Sequence, residues 1–309
     1  AMKALVTGCA GFIGSTLADR LLAEGYEVVG IDRFSDYYPR EIKERNLSGA
    51  IGHPHFTLIE EEILQMEAFP GVDYVFHLAA QAGVRASWGK SFEVYTRDNV
   101  LATQHLLECY KNTGIKKFVY SSSSSVYGDA ELPMREDRPV QPVSPYGVTK
   151  LAAEHLCYLY WKNYGVPTVS LRYFTVYGPR QRPDMGINKF IRAILNSEAI
   201  TVYGNGTQTR DFTYIDDIVE ANVLAAMSDV RGEVFNIGGG NRISVSDLIG
   251  AIEGVTGKSA IVKHAGEQKG DVKDTWADTR KAEELLGWHA RIGIARGLER
   301  YVDWIREEP

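Results

Sequence analysis

Val6-Thr7-Gly8-Cys9-Ala10-Gly11-Phe12-Ile13-Gly14 is the stretch on which the reading of this chain turns. An apolar run, Ala4-Leu5-Val6, leads into it, and an amphipathic helical pattern (Phe12, Ile13, Leu17, Leu21, Leu22) leaves it. Strand, glycine turn and helix in that order hold a dinucleotide pyrophosphate. Glycines let the backbone come close to the phosphates, and the free N–H groups at the helix start attract their charge. The spacing is G-x-x-G-x-x-G, not G-x-G-x-x-G. A second buried strand, Glu27-Val28-Val29-Gly30-Ile31, ends at Asp32. An acidic residue about 20 positions past the glycines is placed to hold the adenosine ribose hydroxyls. Asp32 would repel a 2′-phosphate, which favours NAD over NADP; the adjacent cation Arg33 keeps NADP open.

Outward from this motif, strand and helix alternate. Strands are expected at residues 3–7, 27–31, 56–59, 74–77, 117–121 and 168–171, with helices between them, notably 99–111 and 145–164. Strands separated by helices of about 10 to 20 residues demand a parallel sheet covered on both faces. Gly25 and Gly114 stand where helices would stop. After Tyr177-Gly178-Pro179 the pattern loosens into a Gly/Pro cluster (Pro183, Gly186, Gly204, Gly206). Asp211-Phe212-Thr213-Tyr214 follows, then a helix over 215–227, a second cluster at Gly238-Gly239-Gly240, and helices near 245–255 and 295–306. The expected fold class is α/β, a Rossmann-type doubly wound parallel sheet with a smaller C-terminal mixed α/β substrate lobe. Residues 1–175 are expected to form the dinucleotide domain, with 211–237 returning to it, and 176–210 and 238–309 to form the substrate lobe.

The 309 residues are 44% apolar and 24% charged, enough for a packed core and unlike a disordered chain. A net charge of −6 argues against nucleic acid as the main partner. No apolar run reaches the roughly 20 residues needed to span a bilayer, and no signal-peptide pattern opens the sequence. A cytoplasmic protein without a membrane partner is expected. Cys9, Cys109 and Cys157 are odd in number and widely spaced, which points to a reducing compartment. Cys109 and Cys157 fall in helical patterns and read as small core residues. The seven histidines form no ligand cluster, so no metal is expected.

Chemistry is carried by the run Ser121 to Ser125 and by Tyr146-Gly147-Val148-Thr149-Lys150. Tyr146 and Lys150, four apart, share one face of a helix. A free tyrosine titrates near about 10, and a nearby ammonium favours the phenolate. Such a pair can take a proton from an alcohol while hydride leaves for nicotinamide, with the Ser123 hydroxyl orienting the same oxygen. Tyr158 and Lys162 repeat the spacing three turns on, about 18 Å further along the helix, and only one pair can face a cofactor. Tyr146 follows Ser144-Pro145, a helix start near the strand ends where open α/β sheets bind ligands. Tyr158 lies among Leu156, Leu159, Tyr160 and Trp161 and reads as packing.

Thr7-Gly8-x-x-Gly11-x-x-Gly14, His77-Leu78-Ala79-Ala80, Asp98-Asn99-Val100, Ser125-Val126-Tyr127-Gly128, Pro145-Tyr146-Gly147-x-x-Lys150 and Arg210-Asp211-Phe212 together resemble the extended short-chain dehydrogenase/reductase family throughout the chain. The resemblance implies NAD or NADP, a nucleotide-sugar substrate, and catalytic roles for Ser123, Tyr146 and Lys150. It implies Glu62 and Ile63 near adenine, and Leu78, Ala79, Ala80, Asn99, Ser121 and Tyr173 along the cofactor. It also implies a homodimer joined through the helices at 99–111 and 145–164.

The family runs reductases, epimerases, dehydratases and decarboxylases on one scaffold. Its dehydratases carry an Asp-Glu pair just before Val-Tyr-Gly, and its UDP-xylose-forming decarboxylases a Glu. Here Ser124-Ser125 stand there, so elimination lacks its proton donor. Reversible hydride transfer at one carbon is left, as a 4-epimerase needs. Thr175 stands where UDP-glucose epimerases usually have Asn. It, Arg182-Pro183-Asp184-Met185 and Gln81-Ala82-Gly83-Val84-Arg85 are similar to UDP-glucuronate 4-epimerases.

A uronic acid carries a carboxylate that needs fixed donors. The hydroxyls of Ser123, Ser124, Ser125 and Thr175 can supply them without a general acid, and holding the carboxylate still discourages loss of CO2 from a 4-keto intermediate. The expected reaction is UDP-glucuronate to UDP-galacturonate. Expected substrate contacts are Arg85 and Arg182, Arg210 at the diphosphate, Thr201 and Tyr203 along the uridine, and Asp271 at its ribose. Lys189 and Arg192 line the nucleotide or form a solvated face. Gln268-Lys269-Gly270-Asp271 departs from the commoner Arg-x-Gly-Asp, so a phosphate-binding Arg is missing there. UDP-glucose 4-epimerisation, net oxidoreduction and a non-catalytic NAD(H) sensor stand as alternatives. The sensor predicts loss of Ser123, Tyr146 and Lys150, which are all present.

Overall fold

The computed structural model describes residues 1–308. In chain order it builds β1 (Lys3–Thr7), α1 (Phe12–Ala23), β2 (Glu27–Asp32), α2 (Arg40–Asn46), α3 (Ser48–Ile51), β3 (Phe56–Glu60), β4 (Tyr74–His77), α4 (Phe92–Tyr95), α5 (Ala102–Tyr110), β5 (Lys117–Ser123), α6 (Pro145–Tyr164) and β6 (Thr168–Tyr173). The second part adds β7 (Val176–Tyr177), α7 (Gly186–Leu195), β8 (Ala199–Tyr203), β9 (Thr209–Tyr214), α8 (Ile215–Met227), β10 (Glu233–Ile237), β11 (Asn241–Ser244), α9 (Val245–Thr256), β12 (Ile261–Ala265), α10 (Arg280–Leu286) and α11 (Ile294–Glu307).

Among the described residues one sheet has seven strands in the order β10-β6-β5-β4-β1-β2-β3, and each neighbouring pair is parallel. This is the doubly wound arrangement the alternating pattern demands. Its order reverses between β1 and β4, and open α/β sheets bind ligands at such a point. β4 and β6 are buried along their whole length, as central parallel strands covered on both faces must be. One core joins α1 and α8 to the sheet through Leu17, Leu21, Ile218 and Ala221. The other joins α5 and α6 through Leu106, Leu107, Ala153 and Cys157. β10 pairs in parallel with β6, Phe235 opposite Leu171. Two smaller sheets, β11-β9-β7 and β12-β8, stand beside the main one.

Several boundaries differ from the pattern. β5 runs on to Ser123 and β6 to Tyr173, with Ser122 opposite Arg172 and Ser123 opposite Tyr173. Serine is a poor strand residue, but Ser122 bonds Glu154 at 2.7 Å, so its burial costs little. The helix expected at 99–111 starts earlier. α4 passes through a wider π-type turn (Thr96–Leu101) into α5, which stops at Tyr110, so Gly114 is not its cap. α6 matches its expectation end to end. Ser144 Oγ accepts from Gly147 N at 3.1 Å, and Gly165 closes the helix in the left-handed region. Tyr158 is not packing: it is 44% exposed, because residues 158 and 159 face away from the sheet. Cys157 is buried, but Cys109 only half so. No helix among the described residues is long and apolar enough to cross a membrane.

Candidate active site

The turn after β1 requires glycine at two places. Gly8 has φ +69°, and a Cβ there would lie 2.9 Å from Ala79 N; one on Gly14 would lie 2.1 Å from Gly8 O. α1 thus starts hard against the turn, with its first N–H groups open to an anion. Thr7 Oγ1 accepts from Leu78 N at 3.0 Å and Ala79 N at 3.1 Å, locking the ends of β1 and β4 together. Thr7 also meets His77 Nδ1 at 2.7 Å, and His77 Nε2 meets Thr103 at 2.9 Å. Burial, and then Lys150, pull His77 down to about 3, so it is a neutral structural relay.

A cleft of about 270 Å³ opens above this turn. Gly8, Gly11, Phe12, Ile13, Gly14, Asp32, Arg33, Glu62, Ile63, Leu78, Ala79 and Ala80 line it, and Ser121, Tyr146, Lys150, Tyr173 and Arg182 close its far side. Asp32 is fixed at the end of β2: Oδ2 accepts from Ala10 N at 3.0 Å and Oδ1 from Phe34 N at 2.8 Å. The glycine cradle and this carboxylate fit a dinucleotide. One expected cofactor residue does not line the cleft. Asn99 is buried, accepting from Gln81 N at 2.7 Å and donating to Thr149 Oγ1 at 3.1 Å. The π-type turn shifts the helical phase, and Asp98 lines the cleft in its place. Asn99 instead holds the 81–85 loop.

Tyr146 and Lys150 reach the cleft from the first turns of α6. Lys150 Nζ donates to Ser121 O at 2.9 Å and lies 5.9 Å from the Tyr146 ring centre. Burial lowers this amine to about 8. Burial also pushes the Tyr146 phenol up, while Arg182 and the Ser123 hydroxyl pull it down. Arg182 is thus a second cation acting on the phenol, beside the Lys150 that the helix spacing suggests. Arg182 comes from the loop before α7 and is steadied by Asp184, 3.0 Å away. Ser121 and Tyr173 share a 2.8 Å hydrogen bond. Ser123 Oγ accepts from Ser125 N at 3.1 Å, so the chain turns immediately after β5.

Behind the serines, Glu154 and Arg172 form a buried ion pair, Nε to Oε2 3.0 Å. Arg172 also donates to Tyr127 OH at 2.9 Å, and Tyr127 to Asn236 Oδ1 at 2.7 Å. Glu154 is therefore a closed carboxylate, not a free acid.

Away from the cleft, Arg85 stacks 4.3 Å over Tyr203 and bonds Asp271 at 2.8 Å. Arg85 and Asp271 both act on the Arg210 guanidinium, whose affinity for its proton is lowered chiefly by burial. These four expected residues are one cluster. Thr175 is half-buried, Thr201 lies exposed two residues before Tyr203 on β8, and Lys189 is exposed on α7. Arg192 is committed to Asn188 and Glu308, both at 2.7 Å, so it does not line a nucleotide. Sequence reasoning missed Tyr37, Tyr38, Lys43 and Gln81 as cleft residues. Lys43 resembles a solvated helix charge, but it is buried, donating to Ser35 O at 2.6 Å.

Fold and site together define the class: a dinucleotide-binding α/β enzyme with Tyr146 and Lys150 at its cleft. Residues 4–238 match the NAD dependent epimerase/dehydratase family, and the chain belongs to it. The UDP-glucuronate 4-epimerase of Thermodesulfobacterium geofontis is 42% identical over 98% of this chain and 96% of its own. An uncharacterized UDP-glucose epimerase of Bacillus subtilis is also 42% identical, over 98% of both chains. The crystal structure of UDP-glucuronic acid 4-epimerase from Bacillus cereus, in complex with UDP-glucuronic acid and NAD, superposes with a TM-score of 0.96 at 46% identity, covering 99% of each chain.

Proposed function

We propose that this protein is an NAD-dependent isomerase that inverts C4 of a UDP-sugar, and that its substrate is UDP-glucuronate, converted reversibly to UDP-galacturonate. The observation that carries this reading is the Tyr146 phenol, which lines the cleft together with Lys150 and Arg182, beside serines where a dehydratase would carry acids. The Tyr146 phenolate removes the C4 hydroxyl proton, and Ser123 orients that oxygen. Lys150 anchors the end of β5 through Ser121 O and adds positive charge beneath the ring. NAD, when bound, supplies the reversible hydride acceptor. The planar 4-keto sugar then turns over, the hydride returns to the opposite face of C4, and Tyr146 gives the proton back to the C4 oxygen. Arg85, Tyr203, Arg210 and Asp271 keep hold of the nucleotide during the turn, with Thr201 and Lys189 at the edge. Ser124, Ser125, Thr175 and Arg182 hold the carboxylate.

In this reading residues 1–175 and 211–237 serve the dinucleotide, and 176–210 and 238–309 serve the UDP-sugar. The chain works as a homodimer in the cytoplasm. Leu101, Val148, Tyr158 and Leu159 expose 44–51% of their area on the helices expected to pair, and all three thiols are free.

NMR of the product from purified protein and UDP-glucuronate, with no cofactor added, tests the proposal. UDP-galacturonate is expected. A UDP-pentose as main product, or accumulating reduced nicotinamide, would overturn it. UDP-glucose assayed alongside separates the second reading, which the Bacillus subtilis relative favours.

A further inference from the structure

We infer that Asp98 and Glu62 are positioning residues for coenzyme choice: they occupy the Arg33 guanidinium, deny it to a 2′-phosphate, and so make the site selective for NAD. The inference rests on the NAD reading above and deepens it. Asp32 and Arg33 send opposite signals in sequence, one repelling a 2′-phosphate and the other inviting it. Arg33 is 35% exposed, so solvent and a phosphate could both reach it. Its fork, however, is already filled. Nη2 donates to Asp98 Oδ2 at 2.6 Å and Nη1 to Asp98 Oδ1 at 3.3 Å. A two-pronged guanidinium–carboxylate pair uses the same geometry that a phosphate would need.

Glu62 closes on Arg33 from a second side at 3.6 Å. It also draws Arg97 away, at 3.1 Å. The three partners come from separate segments, after β2, after β3 and on the π-type turn, so no local helix pairing explains their meeting. Lys43, the remaining cation at this end, is bound to Ser35 O and Oγ, at 2.6 and 3.2 Å. Lining this end are Asp32, Glu61, Glu62 and Asp98 against Arg33 and Lys43. A second phosphate would therefore enter an excess of negative charge, where both cations already hold hydrogen-bond partners. The phase shift that buries Asn99 is what delivers Asp98.

The test uses full-length protein stripped of nucleotide and titrated in a calorimeter with 5′-ADP and with 2′,5′-ADP. The readout is the ratio of their dissociation constants, 2′,5′-ADP over 5′-ADP. In the wild type this ratio should be well above one. Asp98→Asn should lower it about tenfold, the scale of one charge-assisted contact. Glu62→Gln should lower it in the same direction. Adding Arg33→Ala to Asp98→Asn should return it to the wild-type value, because the gain belongs to the freed guanidinium. An unchanged ratio in both single variants, or a gain that survives Arg33→Ala, overturns the inference. Failure of the wild type to bind 5′-ADP at all would instead overturn the NAD reading, and the inference with it.

Discussion

At the scale of single residues, the proposed chemistry rests on one phenol and the groups that tune it. Tyr146→Phe removes the proton carrier and is expected to cut kcat about 1000-fold while UDP-sugar binding, read by calorimetry, persists. Tyr158→Phe, on the exposed side of α6, should leave kcat near wild type. Arg182 pulls the Tyr146 phenol down against burial, and the phenolate is the form that accepts the proton. Removing the cation should therefore raise the phenol further. In Arg182→Met the rising limb of the kcat–pH profile is expected to move to higher pH, beside any loss in KM. That Tyr146 and Lys150 reach the cleft together was legible in the sequence because their spacing puts them on one face of a helix. The action of Arg182 on the phenol was not, since 36 positions separate the two and only the loop before α7 brings them together.

At the scale of elements, α6 is held to β5 and β6 by charge as well as by apolar packing. Glu154 pairs with Arg172, and both are buried. Breaking such a pair strands a charge out of water, whereas replacing both partners with apolar groups is often tolerated. Glu154→Gln is thus expected to destabilise the protein by about 3–5 kcal/mol in urea unfolding, and Glu154→Leu with Arg172→Met by less. The positions of the strands were readable from alternation and length. Their ends were not: the polar run from Ser121 resembles a loop until its partners, Tyr173 and Glu154, arrive from β6 and α6. The helix before β5 was misplaced for a related reason. Its π-type turn breaks the 3.6-residue period on which helix boundaries are read, and with it the side on which Asn99 falls.

At the scale of the whole molecule, acid should find a specific weakness. His77 is buried and neutral, with its folded value depressed from 6.5 to about 3. Its contribution is complete above pH 6.5 and is lost as pH falls toward 3, because the unfolded chain takes up the proton first. The stability of the wild type minus that of His77→Gln should accordingly shrink by about 1.4 kcal/mol per pH unit across that window. Denaturant titrations of the two proteins at matched pH values measure it.

β10, placed beside β6 although 64 positions separate Ile237 from its partner Tyr173, has a further consequence. A fragment ending at residue 210 would carry every glycine of the phosphate turn and still leave β6 a raw, aggregation-prone edge. The missing strand, supplied as a separate polypeptide, would have to be captured before such a half-protein became soluble. On the proposed division, the dinucleotide part is therefore expected to depend on a strand that the chain supplies only after residue 210.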